Sequence, residues 1–133
     1  MVKAVPIVDY LSLGDQPHLV AKACVSCGAT YFDRRNACAR CGRVEFASKA
    51  LSGDGVVRSF TIVHRAAPGV PVPYVSAIVD LEGGGTVKAN LVEIEADPAQ
   101  ITLGMAVSLV TFVAGTDEEG TQAVAFGFAP AKA

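Results

Sequence analysis

The sequence predicts an all-β chain, a small cysteine-held ribbon followed by a five-stranded barrel. Three observations carry this. All four cysteines lie between Cys24 and Cys41, in two pairs of the form C-x-x-C-G. From residue 51 onward, short runs of alternating apolar and polar residues are punctuated by Gly, Pro and Asp turns. Almost nothing reads as helix: "VPIVDYLSLGDQP" (5–17) has room for one short helical turn, and Pro6, Gly14 and Pro17 argue against anything longer.

Ten residues separate Cys27 from Cys38, a spacing at which two C-x-x-C pairs read as a zinc ribbon. Each C-x-x-C-G forms a tight knuckle that turns two sulfurs inward. Gly28 and Gly42 supply the left-handed backbone that ends such a turn. Two knuckles bring four thiolates into a tetrahedron, which suits zinc. Disulfides need an oxidising compartment, and no export signal is visible. A redox C-x-x-C sits alone at a helix start within alternating strands and helices, a pattern missing here. Iron in a rubredoxin-type site uses the same ligands and stays open beside zinc. A site with four thiolates has no open position for water. Its role is to hold a module too small to fold by apolar burial, and such binding is worth on the order of 10–16 kcal/mol in small fingers.

The segments around the thiols support a ribbon. "HLVAKA" (18–23) enters as a strand, "ATYF" (29–32) is a second, "DRRNA" (33–37) turns back and "VEFASKAL" (44–51) returns. Past "SGDG" (52–55) the barrel begins. "VVRSFTIVHR" (56–65) sets Val56, Phe60 and Ile62 on one face and Ser59 and Thr61 on the other. "YVSAIVDL" (74–81) alternates Val75, Ala77, Val79 and Leu81 against Ser76 and Asp80, and "EGGG" (82–85) is a hairpin turn. "TVKANLVEI" (86–94) puts Val87, Ala89 and Leu91 inward. "DPAQITLGM" (97–105) is a connector that Asp97 and Pro98 start and Gly104 ends. "AVSLVTFV" (106–113) and "TQAVAFGF" (121–128) are the last strands, split by an exposed "GTDEEG" loop (115–120). Five strands with almost no helix predict a small closed barrel of OB type, with a two-sheet sandwich as the alternative.

The chain of 133 residues divides at residue 50 into an N-terminal segment with the ribbon (1–50) and the barrel (51–133). Residues 1–50 carry seven Lys/Arg against four Asp/Glu, and residues 51–133 carry four against nine. Neither imbalance marks a dedicated nucleic-acid protein. No apolar stretch is long enough to span a bilayer, so a cytoplasmic protein is expected. Hydrophobic residues make up 51% and charged residues only 18%, against a usual charged share of about 25%. Small residues inflate the first figure, but a surface completed by another protein also fits.

Two stretches are candidate contacts. "RAAPGVPVPY" (65–74) has three prolines and one charge, and a stiff apolar loop docks at low entropic cost. Val70, Val72 and Tyr74 are its apolar members; His64 and Arg65 stand where it leaves the strand. The other reading is a loop folded on its own barrel. Arg34, Arg35 and Arg40 crowd the thiols, where they either offset thiolate charge or bind an anion, a phosphate or carboxylate group, on a ligand or partner.

Nothing in the chain forms an evident catalytic apparatus. Its four cysteines are committed to metal, and there is no G-x-S-x-G elbow, Walker pattern or dinucleotide glycine pattern. His18 reads as a surface or packing residue, and His64, ending a strand beside the proline loop, is the one histidine placed to meet a substrate.

The ribbon, "GDGVVRSFTIVHRAAPGVPVPYVSAIVDLEGGG" and "ITLGMAVSLVTF" together resemble the acyl-CoA-associated family that joins a rubredoxin-like zinc ribbon to an OB-fold domain. Cys24, Cys27, Cys38 and Cys41 carry the match, with Gly55, Ser59, Phe60, Thr61, His64, Pro73, Tyr74, Gly104, Met105 and Val107. The resemblance spans residues 17–130; only a short N-terminal helical segment departs from the pattern. It implies a structural zinc ion and an accessory subunit of a thiolase-like protein or a sterol-carrier-type (lipid-transfer) aldolase. The OB domain would cover part of an acyl-CoA channel, so a CoA thioester is the expected ligand of a hetero-oligomer. The alternatives are a single-strand nucleic-acid binder, which the acidic, aromatic-poor barrel disfavours, and a free-standing acyl-CoA carrier.

Overall fold

The computed structural model describes residues 3–32 and 35–131. Its strands are β1 (Ala4–Pro6), β2 (Leu11–Ser12), β3 (His18–Cys24), β4 (Thr30–Tyr31), β5 (Phe46–Ala50), β6 (Asp54–Val63), β7 (Tyr74–Leu81), β8 (Thr86–Leu91), β9 (Ala106–Thr116) and β10 (Gln122–Pro130). The described residues contain no α-helix, only one 3-10 turn at Pro98–Gln100. The Asp97 carboxylate caps that turn by accepting from the Ala99 amide at 2.9 Å. No helix among the described residues is long and apolar enough to cross a membrane.

Strands β6 to β10 close into a barrel. β6 pairs antiparallel with β7, β7 with β8, and β9 with both β6 and β10; β8 meets β10 in parallel at Leu91 and Phe128. The ring is the predicted OB barrel rather than a sandwich. Alternation along β7 is regular, with Val75, Ala77, Val79 and Leu81 buried. They meet Val57, Val87, Leu91, Val107 and Phe128 in the core.

β6 corrects one expectation. Val56 faces outward and Val57 is buried, because the register with β7 shifts between Val57 and Ser59. The extra residue, Arg58, is a bulge that restores Phe60 and Ile62 to the inner face. Simple alternation cannot foresee a bulge. Near the start of β6, Gly55 lies so close to β7 that a Cβ there would sit 2.5 Å from the Asp80 carbonyl oxygen. Only glycine fits where β6 curves between β7 and β9.

The ribbon sheet is built on β3. β5 runs along one side of it from Phe46 to Ala50, while β2 and β4 share the other. The short helical turn expected in residues 5–17 is absent. A single turn, in which the Leu11 amide donates to the Val8 carbonyl at 3.3 Å, links β1 and β2 instead. β1 lies parallel to β10, pairing Ala4 with Gln122 and Pro6 with Val124. The run of β-branched residues around Pro6 favours extended backbone. Lys3 and Ile7 turn their polar groups to β10, so Pro6 presents its missing N–H to the outside, which blunts the sheet edge.

Ribbon and barrel share one core. Leu11, Leu19, Ala21 and Leu51 are buried in the same cluster as Val57, Val79 and Phe128. A chain of rings crosses the junction. Phe32 packs against Tyr10 at 4.7 Å with the rings tilted by 43°, Tyr10 meets Phe126 edge-on at 6.0 Å, and Phe126 meets Phe128 at 6.4 Å.

Candidate metal centre

Each knuckle closes in the same way. The Gly28 amide donates to the Cys24 carbonyl at 2.9 Å, and the Gly42 amide to the Cys38 carbonyl at 2.8 Å. The two glycines have φ of 80° and 81°, a left-handed conformation that a side chain would strain. The first cysteine of each knuckle then donates its own amide five residues ahead, Cys24 to Ala29 at 2.8 Å and Cys38 to Arg43 at 2.7 Å. Both knuckles thus present their sulfurs on matching frames.

The four sulfurs lie within 4.8 Å of one another, with Cys24–Cys41 at 3.5 Å and Cys27–Cys38 at 3.6 Å. Four sulfurs about 2.3 Å from a central zinc ion would stand about 3.8 Å apart. The donor set therefore fits one tetrahedral ion. Cys24 and Cys38 are buried and Cys41 is exposed, so the centre opens to solvent on one side.

The electrostatics also call for a cation. Cys38 is lowered to about 6, first by the Tyr31 hydroxyl and then by the Cys41 and Arg40 amides, against burial. Cys24 is lowered by the Cys27 and Ser26 amides. Cys41 goes the other way: the Arg43 amide favours its thiolate, but burial and the three neighbouring sulfurs push it up to about 11. Thiols this close cannot all ionise without a positive charge among them.

Tyr31 is a part of the centre that the spacing alone did not reveal. Its oxygen accepts the Ala39 amide at 3.1 Å and lies 3.5 Å from Cys38 Sγ. The Arg35 guanidinium covers its ring at 4.5 Å, and Phe46 packs edge-on at 6.0 Å. An aromatic residue before the second knuckle was the available signal, but in sequence it reads only as a strand residue.

The remaining predicted contacts fall in two places. Arg35 and Arg40 are exposed beside the thiols; Arg34 lies outside the described residues. His64, Arg65, Val70 and Val72 are exposed on the loop between β6 and β7, and Tyr74 is half-buried where β7 begins. That loop holds a turn from Ala67 to Val70.

Residues 12–46 match the family model described as the ChsH2 rubredoxin-like zinc ribbon domain, and residues 48–113 match the ChsH2 C-terminal OB-fold domain. A DUF35 domain-containing scaffold protein of Methanocaldococcus jannaschii is 36% identical over 95 residues, 69% of this chain and 66% of that protein. The benzoylsuccinyl-CoA thiolase subunit BbsA of Geobacter metallireducens is 34% identical over 85 residues, 64% of this chain and 58% of that subunit. The chain thus spans less than two thirds of either relative. Among solved structures, a chain of the Ltp2-ChsH2(DUF35) aldolase superposes with a TM-score of 0.69 at 31% identity, over 86% of each chain. Sulfur geometry, barrel topology and these matches agree: the chain belongs to the ChsH2/DUF35 family of zinc-ribbon and OB-fold proteins.

Proposed function

We propose that this chain is a non-catalytic, zinc-binding accessory subunit of a thiolase-like enzyme acting on CoA thioesters. It stabilises the partner and helps to shape the acyl-CoA channel. The observation that carries this reading is the gathering of all four cysteines within 4.8 Å, which leaves the chain no other thiol to attack a thioester. The resemblance to a thiolase subunit and to an aldolase component supports the choice of partner.

In this reading Cys24, Cys27, Cys38 and Cys41 hold one zinc ion. The bound ion cross-links the two knuckles and neutralises their thiolates. Tyr31 donates to Cys38, and Arg35 and Arg40 offset charge at the exposed side. The loop carrying His64, Arg65, Val70 and Val72 is the candidate contact with the partner or its substrate.

The test is co-expression of the tagged chain with each thiolase-like protein of its own genome. Thiolysis and retro-aldol cleavage are then assayed with and without the chain. The expected result is a stoichiometric zinc-bearing complex whose activity or substrate affinity falls when this chain is withheld. A thiolase-like protein that is fully active alone, with unchanged substrate affinity, sinks the proposal.

A further inference from the structure

The barrel has two unlike exteriors. On the outside of β6, β7 and β8 the register lines up Val56, Asp80 and Thr86, then Ser59, Ile78 and Lys88, then Thr61, Ser76 and Asn90. This is a polar face, as water demands. On the outside of β1, β10 and β9 the rows are Val5, Ala123 and Gly115, then Ala125 and Phe112, then Gly127 and Val110, then Ala129 and Ser108. Ile7 follows Val5 two residues on, its amide still bonded to the Val124 carbonyl at 2.9 Å. The rows themselves carry no charge; exposed Lys3, two residues before Val5 and bonded to Gln122, stands at their β1 corner. Val5, Ile7 and Phe112 remain 47%, 52% and 40% exposed.

The face is a shallow trough. Ala125, Gly127 and Ala129 line its bottom along β10 and are themselves buried, so the apolar surface it offers is its rim: Val5 and Ile7 on one side, Val110 and Phe112 along β9. Val92 and Phe112 lean over Gly127, where a Cβ would come within 3.2 and 3.4 Å of them. A hollow of about 270 Å³ beside Phe112 is lined by Val92, Glu93, Val110 and Thr111.

We infer that this trough is the surface on which the larger, thiolase-like subunit of the proposed complex packs, through an apolar patch with a basic rim. The inference rests on the function proposed above. Two arguments select this occupant. The floor from Ala123 to Ala129 is about 23 Å long at about 3.3 Å per residue, and three strands wide beside β1 but two beyond it, about 10–14 Å at about 4.8 Å per strand. That is roughly 200–300 Å², against about 800 Å² per partner in a standard interface. A second copy docked through the trough alone would bury only that area on each side, short of a standard interface. A larger partner continues its contact beyond the trough. Charge gives the second argument. The β9–β10 hairpin carries Asp117, Glu118 and Glu119 at its tip, and Glu93 borders the other side. Two copies would repel there; Lys or Arg on a partner would complement it.

The test uses the full metal-loaded chain and the thiolase-like subunit recovered in the co-expression above. Phe112→Asp and, separately, Ile7→Lys are expected to weaken that complex at least tenfold. Zinc content and circular dichroism should match the wild type, and the free chain should sediment as before. Thr61→Asp, on the polar exterior, should bind as wild type. Reversal of Glu118 and Glu119 to Lys should slow association and reduce its salt dependence. Normal complex formation by both trough variants overturns the inference and leaves the proposed function standing. So does a free wild-type chain that is a dimer until Phe112 is changed, or that binds phosphatidylcholine vesicles through Phe112. If the wild-type chain binds no thiolase-like subunit, the proposed function itself fails and the inference falls with it.

Discussion

The Tyr31 hydroxyl lies 3.5 Å from Cys38 Sγ. The Ala39 amide already points at the Tyr31 oxygen from 3.1 Å, so the phenol accepts there and its own proton is directed to the sulfur 3.5 Å away. A neutral phenol stabilising a thiolate explains both shifts: Cys38 is lowered to about 6, and Tyr31 is raised chiefly by that same bond. Tyr31→Phe should keep the fold but weaken metal binding about tenfold. Competition with a chelator measures the affinity. A shifted sulfur-to-metal charge-transfer band in the cobalt-substituted protein would separate the lost bond from a general loosening.

The same bond sets a pH dependence. A lowered thiol pKa favours the metal-binding form above that pKa and loses this advantage as pH falls through it. Wild-type protein should therefore retain metal further into acid than Tyr31→Phe, whose Cys38 returns toward its ordinary range. Metal release followed with a colorimetric indicator from pH 8 to pH 4 checks this. Identical curves would show that Tyr31 does not act on the thiolate.

Gly55→Ala should destabilise the barrel by about 2–3 kcal/mol. The added Cβ meets backbone, the Asp80 carbonyl, and also Val79, so neither neighbour can swing away cheaply. Urea unfolding of the metal-loaded protein measures it. Gly14→Ala, with open space around it, should change stability far less.

Phe32→Ala should cost roughly 1–3 kcal/mol while leaving metal affinity nearly unchanged. Its ring packs against Tyr10, which passes the contact to Phe126 in β10. In the wild type, removing the metal should therefore lower hydrogen-exchange protection at Phe126 and Phe128 as well as in the ribbon. In the variant that distant effect should shrink.

Much of this was readable from local pattern. Cysteine spacing placed the centre, because a C-x-x-C-G knuckle needs only its own five residues. β7 was readable because Val75, Ala77, Val79 and Leu81 alternate without interruption. What local pattern missed depends on partners far along the chain. The Arg58 bulge exists because β6 pairs with β7 and β9 at once, so Val57 replaced Val56 inside. β1 was hidden because a three-residue strand has almost no periodicity; only its pairing with β10 defines it. The apolar trough was missed for the same reason. Val5 and Phe112 share a face only through β10.

That pairing of β1 with β10 bears on biosynthesis. The ribbon cysteines leave the ribosome well before Gln122 is translated, so the knuckles can capture their ion while β1 still hangs free. The trough is assembled only when β10 arrives to join β1 to β9. A chain that stops short of β10 therefore lacks the trough, whatever the state of its ribbon.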